Sequence, residues 1–341
     1  MSPTAHLLLR FVLLLAAGLT LASGSAGARG DESRPLTAIF YYVWYESAER
    51  DGSYGTWGRE GHSPPFDIAS SYYPQRGPYS SADPRVLRAQ MAEIAGAGID
   101  QVIVSWWGWG SPEDLRLPAV LDFARRFDLD VAIHLEPYPG RTAATIEADV
   151  AHLRTLGIRD FYVYAPTDVR ADVWAELNDR LGGDVRVFAQ TALVGYAAAA
   201  HFDAVYTYDV LAYDGDSFRR FCNQARVARL VCAPSVGPGF DARRLRGDSP
   251  TKPRRRGATY DAMWQGALDA DADMITITSY NEWHEGTQIE PALSAPQISG
   301  FSYLTYSGAW GMRGSRAARA YLVRTARWTK AFAAVRAAEE P

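Results

Sequence analysis

From Thr37 onward, apolar runs rich in β-branched and aromatic residues alternate with amphipathic stretches. The runs are TAIFYYVWY (37–45), DQVIVSWWG (100–108), LDVAIHLEPY (129–138), DFYVYAP (160–166), DVRVFAQTA (184–192), DAVYTYDV (203–210), RLVCAPSVG (229–237) and DMITITSYN (273–281). Their length and composition predict buried strands. Between them, DPRVLRAQMAEIAGAG places Val86, Leu87, Met91, Ile94 and Ala95 at helical spacing, opens on Asp-Pro and closes on glycines. PEDLRLPAVLDFARRFD, TAATIEADVAHLRTLG, DVRADVWAELNDRLGG, DSFRRFCNQARVAR and TYDAMWQGALDADAD repeat the theme, and SRAARAYLVRTARWTKAFAAV predicts a last helix. Eight strands alternating with helices predict an α/β fold, a single-domain (β/α)8 TIM barrel over 37–335. The alternative is a doubly wound open sheet. Such a sheet usually carries a glycine-rich phosphate loop after its first strand, and YYVWYESAERDG is not one. The longest irregular segments are 46–81, after strand one, and the Pro/Arg-rich 238–257, after strand seven. Loops of such length in a compact domain are usually functional.

The barrel reading gives meaning to the polar residues. In such barrels the active site lies at the C-terminal ends of the strands. Those ends read YYVWYE, SWWGWG, HLEPYPGR, YTYDV and SYNEWHEG, whereas the strand middles are aliphatic. The 341 residues, 48% hydrophobic, suffice for a full core, and a net charge of -4 argues against nucleic acid as a partner. Aromatics make up 12%, with 10 Trp and 19 Tyr. Flat rings stack on the apolar faces of sugars, although a large packed core uses them too.

The first residues stand apart. An apolar run from Phe11 to Ala22 is followed by small residues that suit signal peptidase. The expectation is a secretory signal over 1–28 and a short linker over 29–36, with an uncleaved anchor as the alternative. No other segment is long and apolar enough to span a bilayer, so a secreted or extracytoplasmic chain without a membrane span in its mature form is expected. Export permits a disulfide between Cys222 and Cys232, near the end of one helix and the start of the next strand; two buried free thiols are the alternative. No CxxC or Cys/His cluster suggests structural zinc.

The chemistry concentrates in SYNEWHEGTQIEPA (279–292). Glycosidases usually work with two carboxyl groups, one to protonate the leaving oxygen and one to act as base or nucleophile. Glu282 and Glu285 are three apart, on opposite sides of an extended strand, and converge if the chain turns at the strand end. HEGTQ lacks the second histidine of HExxH, because Gln288 stands there, and no GxSxG is present. His134 and Glu136 with His284 offer metal-ligating types, but hydrogen bonding to a sugar suits them better. Glu290 is read as a brace for the loop before Pro291.

SYNEWHEGTQIEPA is similar to the signature of glycoside hydrolase family 99, the endo-α-1,2-mannosidases and endo-α-1,2-mannanases. IFYYVWYESAERDGSYGTW, DIASSYYPQRGPYSSADPRVL, VSWWG, HLEPY and PSVGPGFD…YDAMW resemble further family segments in the same order, over about 37 to 292. The resemblance implies a (β/α)8 barrel and net retention through a 1,2-anhydro sugar, one of the substrate-assisted exceptions to the usual two-carboxylate scheme. It implies that Glu282 deprotonates the 2-hydroxyl, while Glu285 protonates the leaving oxygen and then deprotonates water, with no metal or organic cofactor. It also implies that Trp107, beside Trp106, packs on the sugar next to the cleaved one; tryptophan there is typical of bacterial members acting on mannan. Glu136 resembles a residue that hydrogen-bonds the sugar at the cleavage point. Tyr42, Tyr208, Asn281 and His284 are expected in the wall, with His134. The alternative for Tyr42 and Trp106 is barrel filler, and for His284 an orienting contact to a glutamate.

One departure is GTWGREGH: many members carry His-Trp in this loop, and here Thr56-Trp57 stands there with His62 farther on. The basic RRLRGDSPTKPRRRG after strand seven is expected to be either a solvated lid or a contact for an anionic glycan. The expected partner is α-mannan or a mannose-rich oligosaccharide, bound by a monomer. The competing expectations are a glycosidase of the same barrel acting on another α-linked glycan, and a glycan-binding relative without activity.

Overall fold

The computed structural model describes residues 36–339. The expected leader over 1–28 and nearly all of the linker over 29–36 lie outside them. The strands of the main sheet are β1 (Leu36–Tyr41), β2 (Gln101–Trp106), β3 (Asp130–Leu135), β4 (Asp160–Val163), β5 (Arg186–Gln190), β6 (Ala204–Tyr206), β7 (Val231–Ala233, continued after Pro234 as Ser235–Val236) and β8 (Met274–Ile277). Each is parallel to its neighbour in chain order. β8 pairs with β1 (Leu36↔Met274 to Ile39↔Ile277) and with the second part of β7 (Thr276↔Ser235, Ile277↔Val236), which closes the barrel. Pro234 has no N–H to give the ladder, and the strand is divided there.

The α-helices longer than one turn between strands are α1 (Pro84–Gly96), α2 (Pro112–Arg125), α3 (Ala143–Thr155), α4 (Ala171–Leu181), α5 (Val194–Ala199), α6 (Gly215–Val227) and α7 (Ala258–Asp269); α8 (Ala320–Glu339) ends the described chain. Four of them, α1, α2, α3 and α6, open on a side-chain cap. The Asp83 side chain accepts from the Arg85 N–H ahead of α1, and Asp214 and Ser217 form a reciprocal capping box on α6. The buried face of α1 is Leu87, Gln90, Met91 and Ile94, at the spacing read from the sequence. A disulfide joins Cys222 on α6 to Cys232 on β7, with 5.2 Å between Cα atoms, so the free-thiol alternative does not hold.

Alternation along the strands decides what fills the barrel. Phe40 of β1 points inward, against the rings of His134 (4.8 Å), Tyr206 (5.7 Å) and Tyr162 (6.0 Å). Tyr41 points outward, and its hydroxyl bonds Gln90 of α1. Near the opposite end from the strand C-termini, Gln101 accepts from the Tyr162 hydroxyl at 3.1 Å and donates to Asp160 at 2.7 Å. The interior is therefore a solid aromatic plug, and the open face lies at the strand C-terminal ends.

Candidate active site

The loop after β8 carries the two glutamates. Gly286 N–H donates to the Trp283 carbonyl at 3.2 Å, closing a turn that returns the chain on itself. Gly286 holds φ +64°, and a Cβ there would lie 2.8 Å from the Asp241 carbonyl oxygen, so the turn requires glycine. The turn aims Glu282 and Glu285 into one cleft and sends the Trp283 side chain the other way, into the core. There its indole N–H donates to Glu290 at 2.9 Å. Glu290 is wholly buried and also accepts from the Tyr79 hydroxyl (2.7 Å) and Gln90 (2.8 Å); burial raises its pKa to about 7. It braces the loop from below, as its position suggested.

The two glutamates differ in environment. Glu282 is almost fully buried: its backbone N–H donates to Ser279 Oγ (2.8 Å), and its carboxylate accepts the His284 backbone N–H (3.0 Å). His284 Nδ1 lies 3.4 Å from the same carboxylate oxygen, while Nε2 sits 2.9 Å from the Thr56 carbonyl. A carbonyl only accepts, so Nε2 carries a proton and the ring is oriented by the loop after β1. Glu285 is more open. Desolvation and then the charge of Glu282 push its carboxyl up to about 8, against the Arg246 guanidinium at 3.5 Å, which pulls it down. One carboxyl is thus poised to donate a proton beside a second that is fixed by hydrogen bonds.

The cleft is a recess of about 180 Å³ walled by residues from several strand ends. The segment just after β1 contributes Tyr42 and Trp44, whose rings lie 4.7 Å apart. The Tyr42 and Tyr208 hydroxyls share a short hydrogen bond, and burial raises both phenols well above their ordinary range, so both are neutral hydroxyl groups. Tyr208 holds φ +54° beyond β6, an unfavourable region for a side chain, and its N–H donates to Ser235 Oγ at 2.7 Å. His134 stacks on Tyr208 at 5.4 Å, and its Nε2 sits 2.9 Å from the Tyr206 hydroxyl. Glu136 accepts from Ser105 Oγ at 2.7 Å. Trp107 and Tyr164 complete the wall, with Arg59, Leu245 and Arg246 from the long loops. Among the described residues no group of three or more His, Cys, Asp or Glu is placed to hold a metal ion.

Two expected binding residues do not line this cleft. Trp106 has the outward parity of Val102 and Val104; it is wholly buried against α2, and its indole N–H bonds Asp114 at 3.0 Å. Trp107, one residue on, faces the cleft. Asn281 lies behind the wall: it accepts the Tyr42 N–H and donates to the Tyr42 carbonyl, both at 2.8 Å, and so holds Tyr42 in place. His62 also stays outside the lining, tied to Asp67 and to the Arg244 carbonyl, each at 2.8 Å. Sequence reasoning passed over Trp44, although it shares the inward parity of Phe40 and Tyr42. Arg59 had no comparable signal, since nothing periodic orders 46–81.

The basic segment after β7 is exposed along much of its length, and several of its cations are tied to the fold. Arg243 pairs with Asp241 at 2.6 Å, and Lys252 donates to the Val210 and Tyr213 carbonyls at 2.7 and 2.6 Å. Arg244 pairs with Asp67. Arg254 is buried beneath the faces of Tyr72, Tyr306 and Tyr321, each centroid within 4.7 Å, and donates to the Gly286 and Gln288 carbonyls at 2.9 and 2.6 Å.

Residues 34–334 match the family model described as Glycosyl hydrolase family 99. The chain is 34% identical to a glycoprotein endo-alpha-1,2-mannosidase-like protein of Danio rerio, over 79% of this chain and 73% of that one. It is 31% identical to the Mus musculus protein of the same description, over 86% and 75%. Among solved structures, it superposes on an endo-alpha-mannosidase of Bacteroides thetaiotaomicron with a TM-score of 0.78 at 30% identity, covering 89% of this chain and 98% of that one.

Proposed function

The chain belongs to glycosyl hydrolase family 99, and on that premise we propose that it hydrolyses α-1,2-mannosidic bonds of mannan or mannose-rich glycans, with Glu282 as base and Glu285 as acid. It is a glycoside hydrolase, endo-acting on α-mannosyl glycans. The observation that carries the assignment of roles is the contrast between the two carboxyls. Glu285 retains its proton to about pH 8, whereas Glu282 accepts the His284 N–H and lies beside the imidazole.

In an α-mannoside the 2-hydroxyl lies antiparallel to the leaving group on C1. Glu282 removes the hydroxyl proton, O2 displaces the glycosidic oxygen at C1, and Glu285 delivers its proton to that oxygen as the C1–O bond breaks. The product in the cleft is a 1,2-anhydro sugar. Water then attacks C1, Glu285 takes the water proton, and O2 recovers its proton from Glu282; two inversions give net retention. Tyr42, Tyr208, His134, Glu136 and His284 offer hydrogen bonds to the sugar at the cleavage point, and Trp107 offers a ring face to its neighbour. Trp106 and Asn281 act by supporting that wall. The disulfide is consistent with export into an oxidising compartment under the leader read in residues 1–28.

The test is hydrolysis of α-1,2-branched mannan by Glu282→Gln and Glu285→Gln, each expected to lose at least about 10²-fold in kcat/KM. On an α-mannosyl substrate whose leaving group needs no protonation, Glu285→Gln recovers its first step and Glu282→Gln does not. Equal recovery in both variants, or no loss on mannan, overturns the assignment.

A further inference from the structure

The cleft does not end at the glutamates. It opens into a wider recess of about 620 Å³, and the two share Trp44, Arg59, Trp107 and Arg246; neither Glu282 nor Glu285 lines the second. Arg59 comes from the loop after β1 and Arg246 from the loop after β7. β1 and β7 are the barrel neighbours of β8, so the two arginines flank the glutamate-bearing loop from opposite sides.

Neither is neutralised by a close ion pair among the described residues: Arg246 has only the 3.5 Å contact to Glu285, and Arg59 only the Trp44 ring. In the same recess Glu46 and Arg116 pair with each other at 3.5 Å, and the Arg116 guanidinium also donates to the Val43 carbonyl. Arg243, Arg244 and Arg254, close to Arg246 in the chain, are consumed by Asp241, Asp67 and backbone carbonyls. Arg246 is 57% exposed, and its carboxylate contact among the described residues is Glu285, at 3.5 Å. Arg59 rests over the Trp44 ring at 5.8 Å and pairs with no carboxylate among the described residues. A neutral sugar hydroxyl needs no such pair of exposed cations at one mouth. A carboxylate has two oxygens and is satisfied by one guanidinium fork, whereas a phosphate monoester presents three free oxygens and up to two charges, enough for two forks.

We propose that Arg59 and Arg246 form a phosphate-accepting site at the mouth of the cleft, so that the preferred substrate is an α-mannan bearing a phosphate monoester on the sugar adjoining the cleaved one. This rests on the catalytic reading of the same cleft. The site also bears on the chemistry: a phosphate that draws Arg246 from Glu285 removes the cation that opposes protonation of the acid.

The experiment compares kcat/KM for a phosphorylated α-1,2-manno-oligosaccharide with that for the same glycan after phosphatase treatment. The wild type is expected to favour the phosphorylated form by at least about tenfold, the scale of one charge-assisted hydrogen bond, and less at high salt. Arg59→Ala and Arg246→Ala should each cut that ratio, and the lysine variants should keep part of it. A wild-type ratio near or below one, or a ratio unchanged in both alanine variants, overturns the proposal while leaving the mannosidase reading in place. If neither glycan is cleaved, the catalytic reading fails. The affinity of Glu282→Gln for the two glycans by calorimetry then decides the phosphate site: preference for the phosphorylated form supports it, and equal affinity overturns it.

Discussion

Glu285 has two neighbours that act on its proton in opposite directions: Glu282 holds it on, and Arg246 drives it off. A proton donor with its carboxyl near 8 is competent below that pH and loses competence as pH rises through it. The expected kcat/KM profile therefore falls on the alkaline side near pH 8, a limb that belongs to the coupled pair of glutamates. Replacing Arg246 with alanine removes the lowering charge, so the limb should move to higher pH. The displacement should shrink with added salt, because Arg246 is exposed. A limb that stays in place in Arg246→Ala would show that another group controls it. At this scale the sequence was readable where parity or motif applied. Glu282 and Glu285 could be placed from the strand end and Trp107 from the family resemblance, whereas Trp44 was passed over although it shares the parity of Phe40 and Tyr42. Trp106 could have been excluded by the same alternation. Arg59 could not be placed, because a side chain in an irregular loop has no period to locate it.

Among the elements, α6 is fixed from two sides. Cys222 ties it to β7, closing a loop with a sequence separation of 10. Chain-entropy reasoning gives a stabilisation of about 2–3 kcal/mol for a loop of this size. Cys232→Ser should lose that amount in urea unfolding, and a reductant should affect the wild type but not the variant. On its other side, Gly215 near the start of α6 meets Gly266 of α7, and a Cβ on Gly266 would lie 2.3 Å from the Gly215 Cα. Gly266→Ala must push the helices apart, at a cost of about 1–3 kcal/mol measured by the same unfolding curve. The helix and strand stretches were legible because their apolar periods differ. The bridge was left open in sequence, because ten residues of separation do not say whether a helix end and the next strand approach within disulfide reach. The Gly215–Gly266 contact joins residues 51 positions apart, and no local pattern announces it.

The molecule as a whole depends on segments that return to the glutamate loop from far along the chain. Arg254 joins the loop after β7, Tyr306 and Tyr321 near the C-terminal end, and the Gly286 and Gln288 carbonyls beside the site. Arg254→Met leaves the Gly286 carbonyl without its guanidinium donor. It is expected to lose about 1–3 kcal/mol of stability and to lower kcat on mannan more than it raises KM. Arg254→Lys should not restore the loss, because an ammonium cannot reproduce the flat guanidinium that lies against the Tyr72, Tyr306 and Tyr321 faces while its Nη2 reaches both carbonyls. Wild-type kinetics in Arg254→Met would show that the loop keeps its shape without that anchor.

The sequence by itself determined the eight-stranded barrel, the polar face at its strand ends and the two glutamates set beyond the last strand. Each of these rests on local information: the period of the apolar positions, the switch from aliphatic to polar at strand ends, and the motif after the last strand. Only the tertiary structure decided that burial and the Glu282 charge bear on the Glu285 carboxyl, that Trp106 and Asn281 stand behind the wall rather than in it, that the cysteines are bridged, and that most of the basic segment pins loops while Arg246 remains at the cleft. These depend on burial and on charges brought together from distant positions, since a desolvation cost or an ion pair exists only once the fold has excluded water and set the distances.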